Sequence, residues 1–185
     1  PRLVAAHCCW LTDRDIELIA QNGVHMAHNP ISNMKLSVGQ HFPYQKMYEA
    51  GVNVCLGTDG AGTNNSLSMF DTMKIAALLQ KHHATPETLP AEQCYRMATT
   101  NGYECFGLNG GEVKEGKLAD LVLVRLDLPE MTPNHHLISN MVYAANSSVV
   151  DTTICNGKIL MKDRKVAGDA EIISRAREAT RQFLG

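Results

Sequence analysis

A chain of 185 residues with 44% hydrophobic and 19% charged positions is long enough to bury a real core, and its composition excludes a disordered polypeptide. A formal net charge of −2, with no run of Lys or Arg, gives nucleic acid and anionic membrane nothing to hold. No apolar stretch approaches a membrane span or a secretory signal, so the expected setting is cytoplasmic and the expected partner a small molecule or another copy of the chain.

Straight after Pro1 the sequence enters a strand-like segment, "RLVAAHCCWL", without a leading methionine, which reads as the interior of a longer chain. From Leu3 to Gly57 one pattern recurs: a short apolar run, a polar residue, a helical stretch and a turn. "LVAA" precedes His7; "TDRDIELIAQNG" reads as a helix with Thr12 as N-cap, acidic first-turn residues and Gly23 as terminator. "VHMA" precedes His28, "PYQKMYEAG" reads as a shorter helix from Pro43 to Gly51, and "VNVCL" leads towards Asp59. Strands alternating with helices imply βα units and a parallel sheet, hence an α/β fold. Next comes a long helix beginning near Ser66, with Met69, Met73, Ala76, Ala77 and Leu79 or Gln80 at helical spacing. "AEQCYRMATTNGYECFGL" reads as a helix ended by Gly102 with a short second piece.

Beyond Gly107 the pattern turns β-rich: "LADLVLVRL" is a strand, and "DTTICNGKILMKDRKV" is two strands joined through Asn156-Gly157. The helical "HHLISNMVYAAN" lies between them, and "DAEIISRAREATRQFLG" is an amphipathic tail helix. The six cysteines, Cys8, Cys9, Cys55, Cys94, Cys105 and Cys155, form no C-x-x-C pair and read as reduced packing residues. His82-His83 at a helix end and His135-His136 at a helix start read as solvated, and His25 as a packed or outward-facing strand residue.

His7, His28 and Asp59 fall at the C-terminal ends of three successive strands, where parallel α/β proteins place their catalytic groups. Histidine and carboxylate without an activated serine or cysteine suit hydrolysis by a metal-activated water, with Asp as ligand and proton acceptor. A bare Asp-His acid/base pair is the other option. The glycines around Thr58-Asp59 are expected to supply the sharp turn that aims Asp59 into the mouth.

The order of "AAHCCWLTDRDI", "AHNPISNMKLSVG", "LGTDGAGTNNSLSMFDTMKIAALLQK", "GEVKEGKLADLVLV" and "ICNGKIL" resembles the C-terminal half of the amidohydrolase superfamily. The nearest branch is that of the S-adenosylhomocysteine, methylthioadenosine and 5′-deoxyadenosine deaminases, close to the triazine chlorohydrolases and guanine deaminases. The resemblance implies the last three βα units of a metal-dependent (β/α)8 barrel plus part of a small β-sandwich. It assigns residues 1–109 to the barrel, 110–168 to the sandwich with an intervening helix, and 169–185 to a C-terminal helix.

By the same resemblance Asp59 ends the eighth barrel strand, ligates one divalent metal, zinc or alternatively iron, contacts substrate and takes a proton from the attacking water. His7 ends the sixth strand, holds that water and steadies the charge developing at the substrate carbon. His28, Asn29, Pro30, Ser32 and Asn33 form the loop after the seventh strand, read as rim architecture with a weaker expectation of a substrate contact from His28. Asn64 and Asn65 shape the loop after the aspartate. The segment "GQHFPYQKM" departs from the family pattern: His41 and Phe42 occupy a loop near the rim, and His41 reads as an exposed loop residue rather than a substrate contact. Gly116, Lys117, Ala119, Asp120 and Asn156-Gly157-Lys158 mark the sandwich.

Members of the superfamily also carry a His-x-His pair on the first strand and a further histidine followed by a glutamate on and after the fifth; this chain shows neither. About three protein ligands are usual for a catalytic metal, so Asp59 with His7 implies a need for the N-terminal half of the barrel. The implied whole is a homo-oligomeric deaminase of adenosine-type nucleosides that releases ammonia. The alternatives are a triazine hydrolase or guanine deaminase, or a half-barrel without catalysis.

Overall fold

The computed structural model describes residues 3–184. Its elements follow in the order β1 (Val4–Ala6), α1 (Asp13–Gln21), β2 (His25–His28), α2 (Pro30–Lys35), α3 (Tyr44–Glu49), β3 (Val54–Leu56), α4 (Ala61–Asn64), α5 (Met69–His83), α6 (Ala91–Met97) and α7 (Thr100–Phe106). After these come β4 (Leu121–Val124), α8 (Leu137–Tyr143), β5 (Val150–Cys155), β6 (Lys158–Lys162), β7 (Lys165–Val166) and α9 (Asp169–Leu184).

β1, β2 and β3 form a parallel sheet in that order, with Ala6 opposite Ala27 and His28 opposite Leu56. Each strand gives way to a helix because the intervening residues start and stop one. In α1 the Thr12 hydroxyl accepts from the Asp15 amide while the Asp15 carboxylate accepts from the Thr12 amide, a reciprocal cap. The helices cover one face of the sheet. Met26, Val54 and Leu56 meet Phe42, Met47, Met73, Ala76, Ala77, Cys94 and Met97 there, all buried. Each fully buried large side chain in this layer contributes roughly 1.5–3 kcal/mol against exposure.

The second sheet is antiparallel, ordered β4-β5-β6-β7, with α8 between its first two strands in the chain. A small cluster of Met131, Ala145 and Val149, touched by Phe70 and Val124, lies beside the main core.

Several details depart from the sequence reading. The segment after His28 is a six-residue helix rather than a loop, started by Pro30 at its first position. The helical stretch after Pro90 breaks at Ala98–Thr99, with Thr99 at φ −130° and ψ −98°, and Gly102 lies inside α7; Gly107, at φ 64°, ends that helix. A third strand, β7, follows the hairpin because Asp163 and Arg164 both adopt positive φ and turn the chain back. His136 is exposed but partnered: its Nδ1 caps α8 by accepting from the Ser139 amide, and its Nε2 lies 3.1 Å from Glu92. Cys155 is exposed, unlike Cys9, Cys55, Cys94 and Cys105, which are buried. Among the described residues no helix is long and apolar enough to cross a membrane.

Candidate active site

His7 follows β1, His28 ends β2, and Asp59 lies just past β3, so the parallel pairing carries all three to one end of the sheet. The turns that present the outer two are strained. His7 has φ 68°, Cys8 φ 48° and Asp59 φ 59°, a left-handed conformation that costs a non-glycine residue about 1–3 kcal/mol. Contrary to the sequence reading, the flanking glycines do not make this turn: the left-handed residue is Asp59 itself, and Gly60 sits at φ −72°. Gly57 is required for a different reason. A Cβ built there would lie 2.3 Å from Asn29 Oδ1, so only glycine lets β3 pass this close to Asn29.

His7 Nε2 lies 3.9 Å from Asp59 Oδ2. On its other side the ring is tied by Nδ1 to Asn33 Oδ1 at 2.7 Å, with Asn29 Nδ2 at 3.5 Å. Ser32 donates its hydroxyl to Asp59 Oδ2 at 2.5 Å, and the Gly60 amide donates to Asp59 Oδ1 at 2.7 Å. Together with Thr63 and the nearby His7, these donors hold the Asp59 carboxyl below its ordinary value, the Ser32 hydrogen bond first among them. Asp59 is therefore an ionised acceptor that keeps free lone pairs on both oxygens.

The other anticipated residues take distinct places. Asn64 donates to the Thr58 carbonyl at 2.7 Å and so shapes the turn that bears Asp59. Asn65, at φ 67°, ends α4 in the left-handed conformation that Asn tolerates, and its Oδ1 accepts from Lys35. His28 stands apart from the His7–Asp59 pair in its contacts. It is 1% exposed, stacks on Phe42 with ring centroids 4.4 Å apart, and neither ring nitrogen has a protein partner. Burial first, and then His41, lower its pKa to about 3, so this imidazole is neutral. With His41, which itself stacks on His83, it lines a cavity of about 220 Å³. A cleft of about 540 Å³ lies elsewhere, between α6 to α8 and the antiparallel sheet, and its lining is mostly apolar.

Two contacts, Ser32 to Asp59 and Asn33 to His7, are not visible in the sequence as contacts. Pro30 directly after a polar Asn29 was the available signal, since it marks a helix start.

Among the described residues no group of three or more His, Cys, Asp or Glu is placed to hold a metal ion. The donor set nonetheless fits part of such a site. Asp59 is an anionic oxygen ligand with free lone pairs, and His7 faces it from across the gap.

An ionised carboxylate and an imidazole thus face each other at the C-terminal ends of parallel strands, the end where α/β proteins place functional groups. The model of the amidohydrolase family matches residues 1–160, and the chain belongs to that family. It is 48% identical to a 5′-deoxyadenosine deaminase of Methanospirillum hungatei over 99% of its own length and 41% of the relative's. It is also 48% identical to 5-methylthioadenosine/S-adenosylhomocysteine deaminase 1 of Archaeoglobus fulgidus, over 100% of this chain and 44% of that one. Among solved structures, an adenosine deaminase from Xanthomonas campestris with bound zinc superposes with a TM-score of 0.93 at 36% identity, covering 98% of this chain and 42% of that one. An atrazine chlorohydrolase from Arthrobacter aurescens complexed with zinc superposes at 0.82 with 25% identity, over 96% and 40%. The chain thus spans about two fifths of the relatives it matches and corresponds to the C-terminal part of their fold.

Proposed function

We propose that this chain is the C-terminal part of a metal-dependent deaminase of adenosine-type nucleosides, in which His7 and Asp59 handle the water that displaces the amino group as ammonia. The observation that carries the reading is the 3.9 Å gap between His7 Nε2 and Asp59 Oδ2. It is too long for a direct hydrogen bond, but one oxygen atom about 2.8 Å from each would subtend an angle of about 90°, within reach of both groups. A single water in that gap meets an ionised acceptor and an imidazole at once.

The chemistry that a divalent metal at Asp59 supplies is Lewis acidity towards water, making it a nucleophile at neutral pH. Zinc, the metal in the Xanthomonas campestris adenosine deaminase, is our choice, with iron as the alternative. The chain's own residues do the rest. Asp59, kept ionised by Ser32 and Gly60, accepts one proton from the attacking water and returns it to the leaving amino group. His7 accepts a hydrogen bond from the same water and holds its oxygen in place as it bonds to the ring carbon. Water enters, the C–N bond breaks, and the products are the ring carbonyl and ammonia.

The remaining metal ligands and the groups that grip the ribose come, in this reading, from the N-terminal half of the barrel. Residues 1–109 then belong to the barrel, 110–168 to the companion sandwich and 169–185 to a terminal helix. The complete enzyme is a homo-oligomer in the cytoplasm, with a small-molecule substrate and neither nucleic acid nor membrane as partner. His28 is kept as a secondary candidate for a substrate contact, through the cavity it shares with His41.

The full-length enzyme with its metal should be offered 5′-deoxyadenosine, methylthioadenosine, S-adenosylhomocysteine and adenosine, and in parallel guanine and atrazine. Ammonia release from the adenosine derivatives alone is expected. Turnover confined to guanine or to the triazine would move the assignment to those branches, a reading kept in view by the fold shared with the atrazine chlorohydrolase.

A further inference from the structure

We infer that Ser32 and Asn33 are positioning residues: two consecutive side chains of α2 that hold Asp59 and His7 in register, Asn33 by fixing which ring nitrogen of His7 carries its proton. The inference rests on the hydrolytic reading above.

α2 grows directly from β2, the middle strand, with β1 and its His7 on one side and β3 and its Asp59 on the other. Neighbouring residues of a helix point about 100° apart. Ser32 and Asn33 therefore diverge across the strand that bears them, and each reaches a different flank: Ser32 Oγ to Asp59 Oδ2 at 2.5 Å, Asn33 Oδ1 to His7 Nδ1 at 2.7 Å. Ser32 is 0% and Asn33 7% exposed, so water does not replace these contacts. Pro30, also buried, fixes where the helix begins and hence the phase of both side chains.

The orientation of the Asn33 amide follows from its other neighbour. Cys9 has one thiol proton, which goes to the His7 carbonyl at 3.5 Å, so its sulfur accepts from Asn33 Nδ2 at 3.1 Å. That leaves the amide oxygen for His7, and an amide oxygen accepts only from a protonated Nδ1; the Asn29 Nδ2 donor, at 3.5 Å from the same nitrogen, is the weaker claimant beside Asn33 Oδ1 at 2.7 Å. The neutral ring then carries its lone pair on Nε2, the nitrogen that faces Asp59 across the gap. A reversed Asn33 amide would favour the other tautomer and place a hydrogen where the reaction needs an acceptor.

The test uses full-length enzyme with its metal, labelled with nitrogen-15 histidine, at alkaline pH. The His7 signals are identified by their loss in His7→Gln. The unaltered enzyme should show the tautomer protonated on Nδ1. Asn33→Ala should shift His7 towards the Nε2-protonated form and lower kcat about 10- to 100-fold with little change in KM. Asn33→Asp, which keeps an acceptor oxygen, should retain the tautomer and recover most of kcat. Ser32→Ala should weaken metal affinity by about 10- to 100-fold. An Nε2-protonated His7 in the unaltered enzyme overturns the inference, as does an Asn33→Ala enzyme that keeps both its tautomer and its kcat. If Asn33→Ala does not fold, the unaltered enzyme and Asn33→Asp still decide. An enzyme with the expected tautomer that deaminates no adenosine derivative would leave the positioning intact and remove the functional reading instead.

Discussion

The backbone at Gly57 passes so near the Asn29 side chain that an added Cβ would meet its oxygen at 2.3 Å. Gly57→Ala is therefore expected to cost about 1–3 kcal/mol, because either β3 or Asn29 must shift in a packed site. Gly62→Ala in α4 is the matching control: nothing lies within 4 Å of its Cβ, and alanine suits a helix. Urea unfolding of the two variants should separate them, and equal midpoints would show that the close approach is not a constraint. At this scale the sequence is legible where a polar residue ends an apolar run, as with His7 and Asp59. It is opaque at Ser32 and Asn33. Their helix has six residues, too few to display a 3.6-residue period, and their partners are 27 and 26 positions away, respectively. For His28 the strand-end position gives no sign of the Phe42 ring stacked on it.

At the scale of elements, a polar contact joins α7 to the residue that leads into β4. Tyr103 donates its hydroxyl to Asp120 Oδ2 at 2.6 Å, and Asp120 Oδ1 accepts from the Asn156 amide at 2.6 Å. Gly110 and Gly111 leave room for the ring, since a Cβ on Gly110 would lie 2.2 Å from Tyr103 Cε1. The Tyr103 hydrogen bond is the leading cause that lowers the Asp120 pKa, followed by the Asn156 amide. A carboxyl lowered on folding adds stability that is present above its unfolded value, about 4, and lost as pH falls through the folded one. Tyr103→Phe should therefore be less stable than the unaltered protein at neutral pH, with the difference shrinking in acid. Denaturant midpoints across the acid range check this; a gap that stays constant would mean that the Asp120 bond is not its source. The Asn156-Gly157 hairpin and the strand before it are legible from turn chemistry. The third strand is not, because Asp163-Arg164 lacks glycine and still takes positive φ at both positions.

On the scale of the whole molecule, the parallel sheet has three strands with β1 and β3 at its edges. α7 covers part of the β3 edge, where Asn101 Nδ2 donates to the Val54 carbonyl at 2.8 Å. β1 has no such cover among the described contacts. α9 has no buried residue, leaving Ile172, Ile173 and Phe183 exposed. Open edges and apolar faces invite association. The 20.3 kDa chain alone should run above its monomer mass by light scattering, and the N-terminal half of the barrel should convert it to a defined species. A soluble monomer that unfolds cooperatively would contradict this. The α/β order and the two sheets can be read from periodicity, but the completeness of the site cannot, since ligand geometry is a property of a closed barrel.

The most direct test of the central claim is the rate of ammonia release from 5′-deoxyadenosine and its relatives by the full-length enzyme and by its Asp59→Asn variant. Asparagine keeps the size of the side chain but cannot take the proton. The account predicts turnover by the unaltered enzyme and a loss of at least about 10²-fold in kcat for the variant. Equal rates for the two would contradict it, because proton transfer would then bypass the carboxylate that the fold has placed 3.9 Å from His7.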